Sequence, residues 1–252
     1  MSQPETPVAR AFDHSAELYE RARPGWPVAA IDHAVRELGL ERGATVVDVG
    51  AGTGKLTRAL VDRFERVVAV EPLDGMRSLL EARVPKAEAL SGEAERLPLA
   101  DASADAVFVA EAFHWFDGAR ALAEIARVLR PRGGLALMWN VPDRPTEPSI
   151  AAAAEVLNER GSPERQINRY DSGDWQQPFP GSGFEELRES TFDNPQVVDR
   201  DGLLAFFASM SWIAVLPEGE RSELLDEVRG RLDADSYTRF WRTELYWTRL
   251  AA

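Results

Sequence analysis

The sequence predicts an α/β fold built on a mostly parallel sheet. Three observations carry the prediction. Short Val-rich apolar runs alternate with stretches of helical period, which is the pattern of βαβ units. A glycine-rich turn, Gly50-Ala51-Gly52-Thr53-Gly54, joins the first of these runs to the next helix. A chain of 252 residues, 44% hydrophobic and 28% charged, suits one domain with a core that needs no staples. It holds no cysteine, which excludes disulfide scaffolds, thiolate zinc sites and cysteine nucleophiles.

The elements follow in order. Val28, Ile31, Val35 and Leu38 mark one face of a helix, and Gly39 stands where a C-terminal cap belongs. Residues 44–49 read as a buried strand, followed by the glycine turn and a helix through Leu56, Leu60 and Phe64. A second strand over 66–70 and a helix over 73–82 come next, then strands over 87–90 and 105–110. A helix striped by Leu122, Ile125, Ala126 and Leu129 stops at Arg130-Pro131, ahead of a fifth strand over 134–139.

After Asn140 the character changes. A proline-broken loop leads to a helix over 150–160. Residues 161–183 are irregular, and a run of this length suits a lid or substrate loop, with Arg169 and Tyr170 as candidate contacts. A strand is expected over 184–192 and helices over 203–213 and 224–232. In 239–250, Trp241, Thr243, Leu245 and Trp247 share one face of a half-buried strand, antiparallel at the sheet edge. The expected organisation is a core over 1–140 with an N-terminal helical segment. Residues 141–252 would then supply lid helices and two strands that complete the sheet, within one domain overall.

Charge narrows the partners. The net charge is −13 and no run of Lys and Arg offers a footprint, which argues against nucleic acid. The opening residues hold no apolar stretch, and no window approaches 18 uninterrupted apolar residues, so neither a secretory signal nor a membrane span is expected. The expectation is a cytoplasmic monomer or homodimer acting on a small molecule. Three separated His and no Cys argue against a transition-metal site.

The chemistry lies in VVDVGAGTGKLT, residues 46–57. The turn has the spacing GxGxG. It departs from the phosphate loop GxxxxGK[ST], because only three residues separate Gly50 from Gly54. It departs from the dinucleotide GxGxxG as well, because the third position falls on Lys55 or Thr57. Asp48, a carboxylate just before the loop, suits a cation better than a pyrophosphate. S-adenosylmethionine (SAM) carries an ammonium and a sulfonium and no phosphate, so Asp48 can accept from its ammonium. Glu71 ends the second strand, where an acid grips ribose hydroxyls.

With VVAVEPLDGM and SGEAERLPLADASADAVFVAEAFHWFD following in order, residues 12–140 resemble a class I SAM-dependent methyltransferase. The AFHWFD run and the opening Phe12-Asp13, Tyr19 and Arg23-Pro24-Gly25-Trp26-Pro27 resemble its trans-aconitate methyltransferase-like branch, which usually has Tyr at the position of Trp26. The resemblance implies a Rossmann-like sheet of seven strands with helices on both faces and a helical cap. It implies that Gly50, Ala51, Gly52 and Gly54 form the cofactor turn. It places Pro72, Leu73 and Met76 along the adenine or ribose, Glu93 and Ala94 near the adenine, and Glu111 near the methionine end. Glu93 stands where the family commonly has Asp. Tyr19 and Arg23 would complete the cofactor set, with Arg23 facing a carboxylate.

His114 is the candidate general base, and equally a substrate contact or loop anchor. Trp26, Trp115 and Trp212 are candidate substrate contacts, though aromatic residues read first as core. Without Cys, pyrimidine C5 methylation through a cysteine adduct is excluded. The EAFHW close of the fourth strand lacks the Asn/Asp-Pro-Pro-aromatic motif of DNA amino methylation. The reading is methyl transfer to a small-molecule acceptor, with a carboxylate or hydroxyl oxygen ahead of N or C. The rival is a SAM-binding regulator, or a silent protein that keeps the fold without turnover.

Overall fold

The computed structural model describes residues 16–142, 147–161, 170 and 172–251, except the side chains of Ala16, Leu18, Tyr19 and Ser211. Phe12, Asp13, Arg169 and the side chain of Tyr19 therefore lie outside what is described.

The N-terminal half alternates as expected: α1 (Ala16–Ala22), α2 (Val28–Glu37), β1 (Thr45–Val49), α3 (Lys55–Val61), β2 (Arg66–Val70), α4 (Asp74–Arg83), β3 (Glu88–Leu90) and β4 (Ala104–Ala110). A single 3-10 turn (Phe113–Trp115) leads to α5 (Gly118–Val128) and β5 (Leu129–Pro142). Then come α6 (Pro148–Arg160), a second 3-10 turn (Asp174–Gln176), β6 (Arg188–Asp199), α7 (Arg200–Ala208), α8 (Ser211–Ala214), α9 (Glu218–Arg229) and β7 (Ser236–Arg249).

The seven strands lie in the order β3-β2-β1-β4-β5-β7-β6. β1 pairs in parallel with both β2 and β4, which sets Asp48 between Ala69 and Phe108. β7 runs against β5: Thr243 bonds Asn140 near one end, and Leu250 donates to the Gly133 carbonyl at the other. Strand order reverses between β1 and β4, and a crevice at such a switch point is where α/β sheets take ligands.

Alternate residues of the same strands feed two separate cores, as a period of two requires. Val47, Val49, Val107, Val109, Leu135 and Leu137 pack with Leu122 and Ile125 of α5. Val46, Phe108, Ala136 and Met138 pack with Ile31 and Ala34 of α2 and Leu56 and Leu60 of α3. The sheet is thus covered on both faces, which is why its strands read as continuous apolar runs.

Described residues within 25–141, 168–192 and 243–252 form this sheet unit. Those within 1–24, 142–167 and 193–242 form a second, helical unit. Its core joins Ala22, Ile150, Leu157, Leu203, Phe206, Phe207, Val228, Tyr237 and Trp241.

Several sequence expectations need correction. The strand expected over 184–192 begins at Arg188 and runs to Asp199. Its residues are alternately exposed and half-buried, and an edge strand that buries little leaves a weak pattern. Phe184 makes only an isolated bridge to Leu250. The helix expected over 203–213 is two, α7 and α8, parted at Ser209 and Met210. The helix expected to end at Arg130-Pro131 stops at Val128, and β5 takes up the rest with a register shift against β4. Of the expected helix face, Ile31 and Leu38 are buried but Val28 is 64% exposed, and α2 buries Ala30 and Ala34 beside Ile31. The expected face of β7 holds: Trp241, Thr243, Leu245 and Trp247 are all buried.

Candidate active site

The turn after β1 is built around its glycines. Gly50, Gly52 and Gly54 all have positive φ, between 57° and 85°, where a side chain is strained. A Cβ on Gly50 would lie 2.7 Å from the Ala112 Cβ, so the β1 turn and the segment after β4 are in direct contact. A Cβ on Gly52 would meet nothing within 4 Å. The turn is packed shut at Gly50 and open at Gly52.

The turn spends its N–H groups internally. Those of Gly50 and Ala51 donate to the Val70 carbonyl at 2.9 and 3.2 Å, and that of Gly54 donates to Ala51. That of Gly52 donates to Glu71 Oε2 at 2.8 Å, and the Leu73 N–H donates to Oε1 at 3.0 Å. A phosphate cradle needs such N–H groups turned outward. This turn instead uses them to hold a carboxylate, and Glu71 is 5% exposed.

Asp48 is 1% exposed. Its Oδ2 accepts from Thr57 Oγ1 at 2.6 Å, while Oδ1 is buried without a hydrogen-bond partner. Burial pushes its pKa up to about 7; the Glu71 charge adds to the rise and the Thr57 hydrogen bond opposes it. A buried acceptor left open costs on the order of 1–3 kcal/mol, and such an atom calls for a ligand.

The remaining candidates sort themselves around this centre. Met76 and Ala94 are buried, Pro72 and Glu93 are exposed, and Glu93 bridges back to Arg96. Glu111 closes β4 with φ of 55°, unusual for a residue with a side chain, and its Oε1 accepts from the Asn140 N–H at 2.7 Å. The Asn140 side chain accepts from Thr243 at 2.5 Å and donates to the Gly25 carbonyl. Trp26 is partly buried against the α2 face of the sheet.

His114 sits in the 3-10 turn after β4. Its Nδ1 accepts from the buried Trp139 indole N–H at 2.9 Å. That bond selects the neutral tautomer with the proton on Nε2, so His114 presents a donor there. Trp115 beside it is 44% exposed. Trp139 also packs, tilted, against Tyr170 and Trp175, at 4.7 and 4.5 Å between ring centroids. Tyr170 and Tyr246 both donate to Glu244, and burial and this carboxylate hold the Tyr170 phenol protonated.

Arg23 and Trp212 belong to the helical unit. Arg23 donates to the Ser209 hydroxyl at 3.2 Å and its carbonyl at 3.1 Å, and Trp212 packs against that unit's own core. Sequence reasoning passed over Thr57, Trp139 and Asn140. Thr57 was within reach, because it lies one helical turn after Gly54, on the side of α3 that covers the Asp48 face. Nothing in the sequence marks Trp139 as the partner of His114.

A covered sheet of this order, with a glycine turn that closes on two acids at the switch point, defines a Rossmann-like fold of the class I methyltransferase kind. A profile of the methyltransferase domain matches residues 47–137. An uncharacterized methyltransferase of Mycobacterium tuberculosis is 39% identical, over 88% of this chain and 85% of that protein. A malonyl-[acyl-carrier protein] O-methyltransferase of Methylovorus is 33% identical, over 77% of this chain and 70% of its own. A solved structure assigned as a type II methyltransferase of Anaeromyxobacter dehalogenans superposes with a TM-score of 0.69 at 26% identity, covering 91% and 98% of the two chains. The chain belongs to the class I SAM-dependent methyltransferase family. Family and fold imply SAM as the methyl donor. Among the described residues, no helix is long and apolar enough to cross a membrane, and no group of three or more His, Cys, Asp or Glu is placed to hold a metal.

Proposed function

We propose that this methyltransferase acts on an oxygen of a small-molecule acceptor, with a carboxylate favoured. The buried, unpartnered Asp48 Oδ1 beside a Glu71 held by two N–H groups carries the cofactor reading. Asp48 takes the cofactor ammonium, directly or through one water. Glu71 takes the ribose hydroxyls with an orientation already set by Gly52 and Leu73, so little ordering remains to be done on binding. Gly50, Ala51, Gly52 and Gly54 shape the turn, Pro72 and Met76 flank the nucleoside, and Glu93 and Ala94 lie toward the adenine. Glu111 faces the methionine end.

When bound, SAM supplies an electrophilic methyl group on a sulfonium. The chain's own task is alignment and exclusion of water around an in-line displacement. A carboxylate acceptor is ionised at neutral pH and needs no base. The hydrogen bond from Trp139 favours His114 as a donor toward such an acceptor over a base. The Methylovorus relative, an O-methyltransferase named for a malonyl group, supports the same class. Trp26 and Trp115 are proposed to line the acceptor.

Calorimetric titration of S-adenosylhomocysteine into the wild type and Glu71→Ala tests the cofactor half. Binding weakened by roughly 1–3 kcal/mol in the variant is expected. Methyl transfer from labelled SAM to panels of carboxylates, alcohols and amines tests the acceptor half. Turnover confined to amines refutes the oxygen reading. Tight binding with no turnover on any panel favours the silent, regulatory alternative.

A further inference from the structure

The helical unit holds a second unsatisfied polar group, unconnected with any residue assigned above except Arg23. Arg239 lies near the start of β7. Its guanidinium stands 3.6 Å from the centroid of the Phe206 ring and 4.1 Å from that of Trp241. Those contacts are to ring faces. No carboxylate among the described residues pairs with Arg239, and its Nη1 is sealed from solvent with no hydrogen-bond partner. Arg23 lies 5.1 Å from the same Phe206 ring and is anchored by Ser209. Two arginines thus converge on one ring in a protein of net charge −13.

A buried guanidinium is normally neutralised by an acid, because its charge is costly to take out of water. Burial, and to a lesser degree Arg23, lowers the Arg239 pKa to about 9, which still leaves it cationic at neutral pH. The two rings compensate part of the cost. They leave Nη1 without a hydrogen-bond acceptor.

We propose that Arg239, seconded by Arg23, is a binding site for a carboxylate. The planar fork, packed by two aromatic rings that stand at 66° to each other, offers paired donors in one plane, which is the geometry of a carboxylate. Because Nη1 is sealed, the ligand reaches it only as the packing over Arg239 opens, so occupancy and local order are coupled. The anion site lies wholly within the helical unit and stands apart from the methyl-transfer reading.

The test uses the full chain with malonate as probe, against chloride at equal ionic strength. Calorimetry on the wild type is expected to show malonate binding, with at least a tenfold loss in Arg239→Gln and in Arg239→Lys, which keeps charge but not the fork. Hydrogen exchange on the wild type is expected to show malonate protecting residues 204–209 and 239–241, a readout that needs no variant to fold. Unchanged malonate affinity in a folded Arg239→Gln, absence of that protection, or phosphate binding in preference to malonate overturns the proposal.

Discussion

Asp48 should couple cofactor binding to proton release. Its pKa of about 7 in the unliganded protein arises chiefly from burial, with a further rise from Glu71. A cation at Oδ1 requires the ionised form, so binding expels whatever proton the group carries. By linkage the release is about 0.9 proton at pH 6, about 0.5 at pH 7 and about 0.1 at pH 8. Affinity should fall about tenfold per unit below pH 7 and reach a deficit of about 100-fold at pH 5. The amino group of the ligand stays protonated throughout this range, so the acid limb is the clean one. Calorimetry of S-adenosylhomocysteine at pH 6 in buffers of different ionisation enthalpy reads the proton directly. Asp48→Asn should release none, and its affinity should be flat from pH 5 to 7. Wild-type binding that is pH-independent over this range, with no proton released at pH 6, would refute the assignment of Asp48 to the ammonium.

The same group shapes stability. Its folded pKa lies above the unfolded value of 3.8, so the folded state binds the proton more tightly. The stabilisation is present at acid pH and is lost as pH rises from about 4 through 7, by up to roughly 4 kcal/mol from about three pK units. Urea unfolding of the ligand-free wild type against Asp48→Asn, at pH 5 and pH 8, should show the variant gaining relative stability at the higher pH.

Three further outcomes are expected. Gly50→Ala forces a Cβ at positive φ to within 2.7 Å of Ala112, and should cost about 1–3 kcal/mol of stability and abolish measurable S-adenosylhomocysteine binding. Unchanged affinity would show that the turn relaxes. Trp139→Phe removes the donor to His114 Nδ1 and keeps an aromatic core; turnover should fall as His114 loses its fixed tautomer, while cofactor affinity stays within twofold. Leu245→Ala, at a position with no exposure in β7, should lower stability by about 2–5 kcal/mol in chemical denaturation without changing the cofactor site.

The acid-flanked glycine turn at the centre of the candidate site was legible in the sequence because its parts are local. Asp48, the GxGxG turn and Glu71 lie within 24 residues and stand at the ends of consecutive strands. Parallel pairing of β1 and β2 then leaves those ends little choice but to meet. The central strands were legible for a similar reason: burial on both faces requires an apolar residue at nearly every position. The edge strand β6 was not, because an edge with one weakly buried face imposes little on its residues.

What the sequence alone determined, then, is the fold class, the turn and the acids that flank it. What only the tertiary structure decided are contacts between residues distant along the chain. Trp139 chooses the tautomer of His114 from 25 residues away, and Thr243 meets Asn140 across 103. The stranded edge of Arg239 is of the same kind, since Phe206 flanks its guanidinium and no described carboxylate reaches it. Local propensity carries no information about such pairs. Side-chain hydrogen bonds and burial are set by which elements the sheet order and helix packing bring together, and that is a property of the folded chain as a whole.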